Sequence, residues 1–119
     1  ILFGMDVRKD SLPDDVLTNA RTLWLEGNSR SALSLLYRSA LVQLINREQL
    51  ALKHSHTEGD ILRLSGAEMH ETRQLYFQKL TKQWVKIAYA HQSPTEIEME
   101  YLLVHWEPDF VQPTSDLAS

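Results

Sequence analysis

Arg30-Ser31-Ala32-Leu33-Ser34-Leu35-Leu36-Tyr37-Arg38-Ser39-Ala40-Leu41-Val42-Gln43-Leu44-Ile45-Asn46-Arg47-Glu48-Gln49-Leu50 is apolar on nearly every side when wound as a helix. At about 100° per residue, Leu33, Leu36, Tyr37, Ala40, Leu41, Leu44 and Ile45 fill one broad arc, while Leu35 and Val42 fall on the far side. A surface helix needs one apolar stripe, whereas a helix with two needs neighbours on both flanks. The stretch is therefore expected at the centre of a bundle.

On its N-terminal side, Ser11-Leu12-Pro13-Asp14 reads as a helix start, with Asp14 and Asp15 near the positive end of the helix dipole. Val16, Leu17, Ala20, Leu23 and Trp24 follow at helical spacing. Gly27 fits a left-handed cap, and Asn28 or Ser29 can cap the next helix. Helices joined by so short a connection fold back on each other, so the spacing predicts an antiparallel hairpin. Trp24, Gly27, Ala32, Leu36 and Ser39 give that hairpin a tetratricopeptide-like character. No second copy follows at a period of about 34 residues, so a repeat array is not expected.

On the C-terminal side, Thr57-Glu58-Gly59-Asp60 offers a capped start for a short helix through Leu64. Ser65-Gly66-Ala67-Glu68 repeats the capping pattern and is expected to open a long helix to about Ala90. On that helix Met69, Tyr76, Phe77, Leu80, Trp84, Ile87 and Ala88 share a face roughly 120° wide, with Lys79, Lys82 and Lys86 opposite. Ser93-Pro94-Thr95-Glu96 reads as another capping box with Pro at the first helical position, and Ile97, Tyr101, Leu102 and Val104 as the inner face of a last helix. Glu107-Pro108 is expected to stop it. β-strand alternation is not seen. The fold class is all-α: a five-helix bundle with a TPR-like N-terminal hairpin over residues 11–107, an irregular apron at 1–10 and a flexible tail at 108–119.

A chain of 119 residues can bury about 65% of its unfolded surface, enough for a core without staples. Cysteine is absent, which removes disulfides, thiolate metal sites and a cysteine nucleophile together. With 12 basic against 16 acidic residues, binding of nucleic acid by counterion release is disfavoured. No apolar run approaches the ~20 residues of a membrane span, so this stretch is expected to be soluble. Ile1 is not an initiator methionine and no signal peptide follows it, which reads as an excised portion of a longer polypeptide.

Several side chains invite a functional reading. His54 and His56 are the close pair among five histidines. In an extended segment they would point the same way, with Glu58 or His70 completing an ion site; as exposed loop residues they would do nothing. Arg38 lies close to the apolar arc, where an unpaired guanidinium is costly. With Tyr37 it is expected to be a structural anchor, Arg38 holding Glu58, Asp60 or loop carbonyls; the other reading is a site for an anion or a partner's carboxylate. Lys79, Lys82 and Lys86 form a basic stripe with Leu75 and Tyr89 on the same side, either a solvated face or a surface for an acidic partner or for anionic lipid near a membrane anchor. Asp14 and Asp15 sit where a helix dipole favours them, and Glu96, Glu98 and Glu100 fan around a helix start instead of converging. No Ser, His and Asp set, Gly-rich phosphate loop or HExxH occurs, so no catalytic, cofactor-binding or metal residue is assigned.

Read together, Ala20-Arg21, Gly27, Ala32-Leu33-Ser34-Leu35-Leu36-Tyr37-Arg38, Ala40-Leu41, the Thr57 to Asp60 cap and the Tyr89 to Glu96 segment resemble the bacterial domain-of-unknown-function family numbered 4129. Leu2-Phe3-Gly4-Met5-Asp6 and Ser11-Leu12-Pro13-Asp14-Asp15 are similar to the version of that domain in proteobacterial membrane proteins. The family often has Thr-Pro at the third helix start and Tyr-Gly after the fourth, where this chain has Thr57-Glu58 and Tyr89-Ala90. The resemblance implies a domain C-terminal to membrane helices on the cytoplasmic side. It also implies kinship with transglutaminase-like membrane proteins and clusters that include MoxR-type AAA ATPases and von Willebrand A domain proteins. No site residue comes with it. The expected function is a non-enzymatic protein-interaction module without cofactor, its partner in that ATPase cluster or in the parent chain, with a homodimer also open. The alternative is a ligand-binding or enzymatic domain with an interhelical pocket near Arg38.

Overall fold

The computed structural model describes residues 7–8 and 12–112. Its order is α1 (Val16–Leu25), α2 (Ser29–Asn46), α3 (Glu58–Gly66), α4 (Glu71–Ala90), α5 (Glu96–Val104) and a π-helical turn (Trp106–Val111). The apron at residues 1–10 lies outside the described residues except for Val7 and Arg8, of which Val7 packs against the core. Residues 113–119 of the expected tail also lie outside them.

α2 is the enclosed helix that its sequence demands. Leu33, Leu36, Tyr37, Ala40, Leu41 and Leu44 are fully buried, and on the far side Leu35 and Val42 are only 7% and 4% exposed. Leu35 lies beside Leu23 of α1, whereas Val42 lies among Leu12, Val16, Trp106 and Val111. Opposite, Tyr37 stacks between Phe77 and Trp84 of α4, with ring centroids at 6.0 and 5.8 Å. Arg30, in the first turn of α2, donates to the Ile87 carbonyl at 3.2 Å and sits over the Trp84 ring. It thus satisfies one of the carbonyls that the end of α4 leaves without a helical partner.

The hairpin turn is built as its sequence requires. Gly27 adopts φ +86°, and the amides of Gly27 and Asn28 donate back to the carbonyls of Trp24 and Leu23 at 3.0 and 2.8 Å. A left-handed glycine at that position closes the end of α1 and reverses the chain.

The helix ends differ from expectation at five places. α2 stops at Asn46 instead of running to Leu50, and Gln49 just beyond it is left-handed at φ 57°. α1 begins at Val16 because Asp15 is itself the cap, its carboxylate accepting from the Thr18 amide at 3.0 Å and hydroxyl at 2.7 Å. Ser65-Gly66-Ala67-Glu68 ends α3 instead of opening α4, since Ser65 is fully buried and its hydroxyl donates to Leu62. α4 starts only at Glu71, where the His70 ring accepts from the Thr72 amide. The last capping box is Thr95 with Glu98, two residues later than Ser93-Pro94-Thr95-Glu96, and Pro94 is a buried residue ahead of it.

The largest corrections concern the C-terminal end. α5 turns Met99, Leu102 and Leu103 inward, while Ile97 and Val104, expected inside, are 84% and 52% exposed. Nor does Glu107-Pro108 end the structure. Pro108 has no amide to donate, and the chain widens into a turn in which the Gln112 amide reaches the Glu107 carbonyl at 2.7 Å. That turn buries Trp106 and Phe110 against Tyr76 and Phe77, so residues 108–112 belong to the folded body and not to a tail. Among the described residues no helix is long and apolar enough to cross a membrane.

Because both sides of α2 are covered, Leu36→Ala and Val42→Asp are each expected to destabilise the chain severely, Leu36→Ala by about 2–5 kcal/mol. Urea unfolding followed by circular dichroism checks this; a Val42→Asp midpoint like that of the parent would mean the second side is open.

Candidate docking site

α5 lies along α4 with its chain direction reversed, and the two meet through polar contacts that leave a shallow groove on their outer side. Tyr76 donates to the Leu102 carbonyl at 2.6 Å, and the Lys79 ammonium sits 5.2 Å from the centre of the Tyr101 ring. The Glu98 carboxylate accepts from the Thr95 amide at 2.9 Å and is bonded by Gln83, which together hold it below its usual range, while the Glu98 amide donates to the Thr95 hydroxyl at 3.2 Å. The groove, about 240 Å³, is lined by Lys79, Lys82, Gln83, Ile97, Glu98, Tyr101 and Leu102. Ile97, Tyr101 and Val104 recur at helical spacing along the outer face, so α5 is apolar on both its sides. Tyr101 stacks on His105 at 4.2 Å, and burial raises its hydroxyl pKa.

Of the expected basic stripe, the structure brings Leu75, Lys79 and Lys82 to exposed positions on α4. Lys86 is half-buried, its charge helping to depress the Glu98 carboxyl. Tyr89 is 65% exposed, while its hydroxyl donates to both oxygens of the buried Glu58, at 3.2 and 3.0 Å, which ties the end of α4 to the start of α3. The same carboxylate raises the Tyr89 pKa.

Arg38 does not hold Glu58 or Asp60. Glu58 is taken by Tyr89, and Asp60 closes its own helix end, accepting from the Thr57 amide at 2.9 Å and from Arg63 at 3.1 Å. Arg38 is half-buried and instead lines an open groove of about 460 Å³ between α1 and α2, together with Arg30, Asn19, Thr22, Ser31 and Ser34. Tyr37 is fully buried, and that burial, then Glu58, raises its hydroxyl pKa.

The anchor role falls to Arg73, which sequence reasoning did not single out. It is 2% exposed, forms a two-pronged pair with Glu48 at 3.1 and 3.0 Å, and donates to Gln43 at 3.1 Å and to the Phe110 carbonyl. Its guanidinium also lies over the Phe110 ring. One side chain thereby joins the end of α2, the start of α4 and the terminal turn. Arg47 adds a second tie, donating to the Val111 carbonyl at 2.6 Å.

The residues of the proposed ion site have separate local tasks: the His56 ring accepts from the Lys53 amide at 3.0 Å, His70 caps α4, Glu58 holds Tyr89, and His54 is exposed. Among the described residues no three His, Asp or Glu side chains gather where they could hold an ion. No family model, curated protein or solved structure matches the chain.

Removing one partner of a buried charge pair strands the other, so Arg73→Met and Glu48→Gln should each cost about 3–5 kcal/mol. The double variant Arg73→Met with Glu48→Gln should cost less than the sum, and a denaturation cycle over the four proteins measures it.

The capping carboxylates also set a pH dependence. Asp15, Asp60 and Glu98 are held below their ordinary values of 3.8, 3.8 and 4.5, first of all by amides of Thr18, Thr57 and Thr95. A carboxyl more acidic in the folded than in the unfolded chain stabilises fully above the unfolded value and loses that effect as pH falls through the folded one. The urea midpoint should therefore stay level down to about pH 5 and fall below it. Asp60→Asn together with Glu98→Gln, which leave no carboxyl to titrate at these two helix ends, should flatten the fall.

Proposed function

We propose that this chain is a non-enzymatic docking module, the C-terminal domain of a bacterial inner-membrane protein on its cytoplasmic side. Its docking face is the outer side of α4 and α5. The observation that carries this reading is the two-sided apolar character of α5. Met99, Leu102 and Leu103 account for its attachment to the bundle, and Ile97 and Val104, 84% and 52% exposed, remain for something else. A patch of this kind, rimmed by charge, favours association with a partner. Lys79 and Lys82 beside it select an amphipathic segment with acidic residues along one edge. The resemblance to the 4129 family supports the cellular setting, with the partner drawn from the parent chain's other domains or from a neighbouring MoxR-type ATPase.

A second reading, association of two copies, is favoured by one feature. Next to Ile97 the α1–α5 junction exposes Leu25, with Arg21 and Glu100 paired at 3.5 Å across it. Such a patch carries both charge signs around an apolar centre and is suited to meeting itself.

A photo-crosslinking residue placed at Ile97 of the intact polypeptide in its native cells should give one discrete adduct, and the same residue at His54 none. Ile97→Asp with Val104→Gln, both at exposed positions, should abolish the association in pull-down while leaving the unfolding midpoint unchanged. An adduct between two copies, matched by a concentration-dependent sedimentation coefficient, selects the second reading; no adduct at Ile97 rejects docking through this face.

A further inference from the structure

We infer that the groove between α1 and α2 binds an extended acidic peptide segment, with two carboxylates spaced four residues apart seated on Arg30 and Arg38. This site is distinct from the α4–α5 face and does not rest on it. The chain carries a formal net charge of −4, yet this groove of about 460 Å³ is lined by two arginines and, among the described residues, by no carboxylate. Arg38 is half-buried, and its Nε is shielded from solvent without a hydrogen-bond partner. A guanidinium so placed is under-satisfied, and a carboxylate is the group whose geometry matches its fork. Arg30 is held from behind by the Ile87 carbonyl and the Trp84 ring, which fixes its position without neutralising its charge. A cation fixed in advance loses little side-chain freedom on binding.

The spacing selects the occupant. Arg30, Ser34 and Arg38 recur every four residues along α2, so the backbone positions of the two arginines stand about 12 Å apart along the helix axis. An extended chain covers roughly 13 Å in four residues and returns to the same face at every even step. Carboxylates at positions i and i+4 of such a segment would therefore meet both arginines. Between them Ser31, Ser34, Thr22 and Asn19 present neutral donors and acceptors suited to the backbone of the intervening residues. An open groove covers one side of its occupant, which favours a length of chain over a small compact molecule.

The probe is a fluorescein-labelled nonapeptide of Thr and Val residues with Glu at its third and seventh positions, titrated into the whole chain at low salt and followed by anisotropy. Saturable binding that weakens with added salt is expected, with at least a tenfold loss when both Glu are Gln and a clear loss when the second Glu is moved one position. Arg38→Gln should weaken binding by at least about tenfold with an unchanged unfolding midpoint. Should that variant fail to fold, Ser34→Glu places a carboxylate in mid-groove and must produce the same loss. Lys79→Glu with Lys82→Glu should leave the affinity unchanged, which separates this site from the docking face. Equal binding of the Gln peptide, full affinity in Arg38→Gln or Ser34→Glu, or displacement by inorganic phosphate as readily as by the unlabelled Glu peptide would overturn the proposal.

Discussion

A helix with large apolar side chains around most of its circumference cannot present any flank to water, and α2 imposes that condition on the whole molecule. Each fully buried side chain of Leu or Tyr size contributes roughly 1.5–3 kcal/mol, so a flank left open would cost more than a domain of this size has to spare. Three separate pieces of chain meet the condition. α1 covers one side through a hairpin whose turn Gly27 permits, α4 covers another through Tyr76, Phe77, Leu80 and Trp84, and the remaining strip around Val42 is closed by the start of α1 and the terminal turn. The last piece is short, and nothing in its own helical propensity would hold it in place.

What holds it is charge buried for the purpose. Arg73 and Arg47 reach from α4 and from the end of α2 to the carbonyls of Phe110 and Val111. The end of a helix leaves its last carbonyls without partners, and guanidinium groups are well matched to them. A guanidinium as buried as Arg73 needs a compensating anion, which Glu48 supplies from just beyond α2. The polar junction and the apolar enclosure therefore depend on each other: without Trp106 and Val111 the strip over Val42 opens, and the Arg73 and Arg47 bonds to the carbonyls of Phe110 and Val111 hold that turn in place.

The periodicity of residues 30–50 was enough to place α2 at the centre, and Gly27 was enough to place the hairpin, because both signals are local and strong. The boundaries of α1, α4 and α5 were not legible to the same degree. Ser65 and Ser93 each fit a capping pattern, but burial of Ser65 and the competing Thr95–Glu98 pair decide which hydroxyl is used, and burial is a tertiary property. On α5 the apolar residues Ile97, Met99, Tyr101, Leu102, Leu103 and Val104 occupy two faces, so composition could not say which face is inner. Arg73 was missed because it is one arginine among many in the sequence. Its partner Glu48 stands 25 positions away, and only folding brings them together. Arg38 attracted attention for a sound reason, its nearness to the apolar arc, but its expected partners were already committed to Tyr89 and Arg63.

That commitment of acidic side chains explains how an acidic protein comes to present cationic grooves. Asp15, Asp60 and Glu98 close helix ends, Glu48 and Glu58 are bound by Arg73 and Tyr89, and Glu100 faces Arg21. Each of these carboxylates is held by a nearby donor, and for Asp60, Glu48 and Glu100 that donor is a cation which offsets the charge within a few ångströms. The lining of the α1–α2 groove has no such compensation, and in the α4–α5 groove the carboxylate of Glu98 is turned to its own helix end while Lys79 and Lys82 stay exposed. Net charge governs behaviour at a distance greater than the screening length, about 8 Å at physiological salt, and inside that distance the local arrangement dominates. A partner with acidic residues is therefore repelled weakly on approach and attracted at contact, which favours recognition that is slow to form and specific in where it forms.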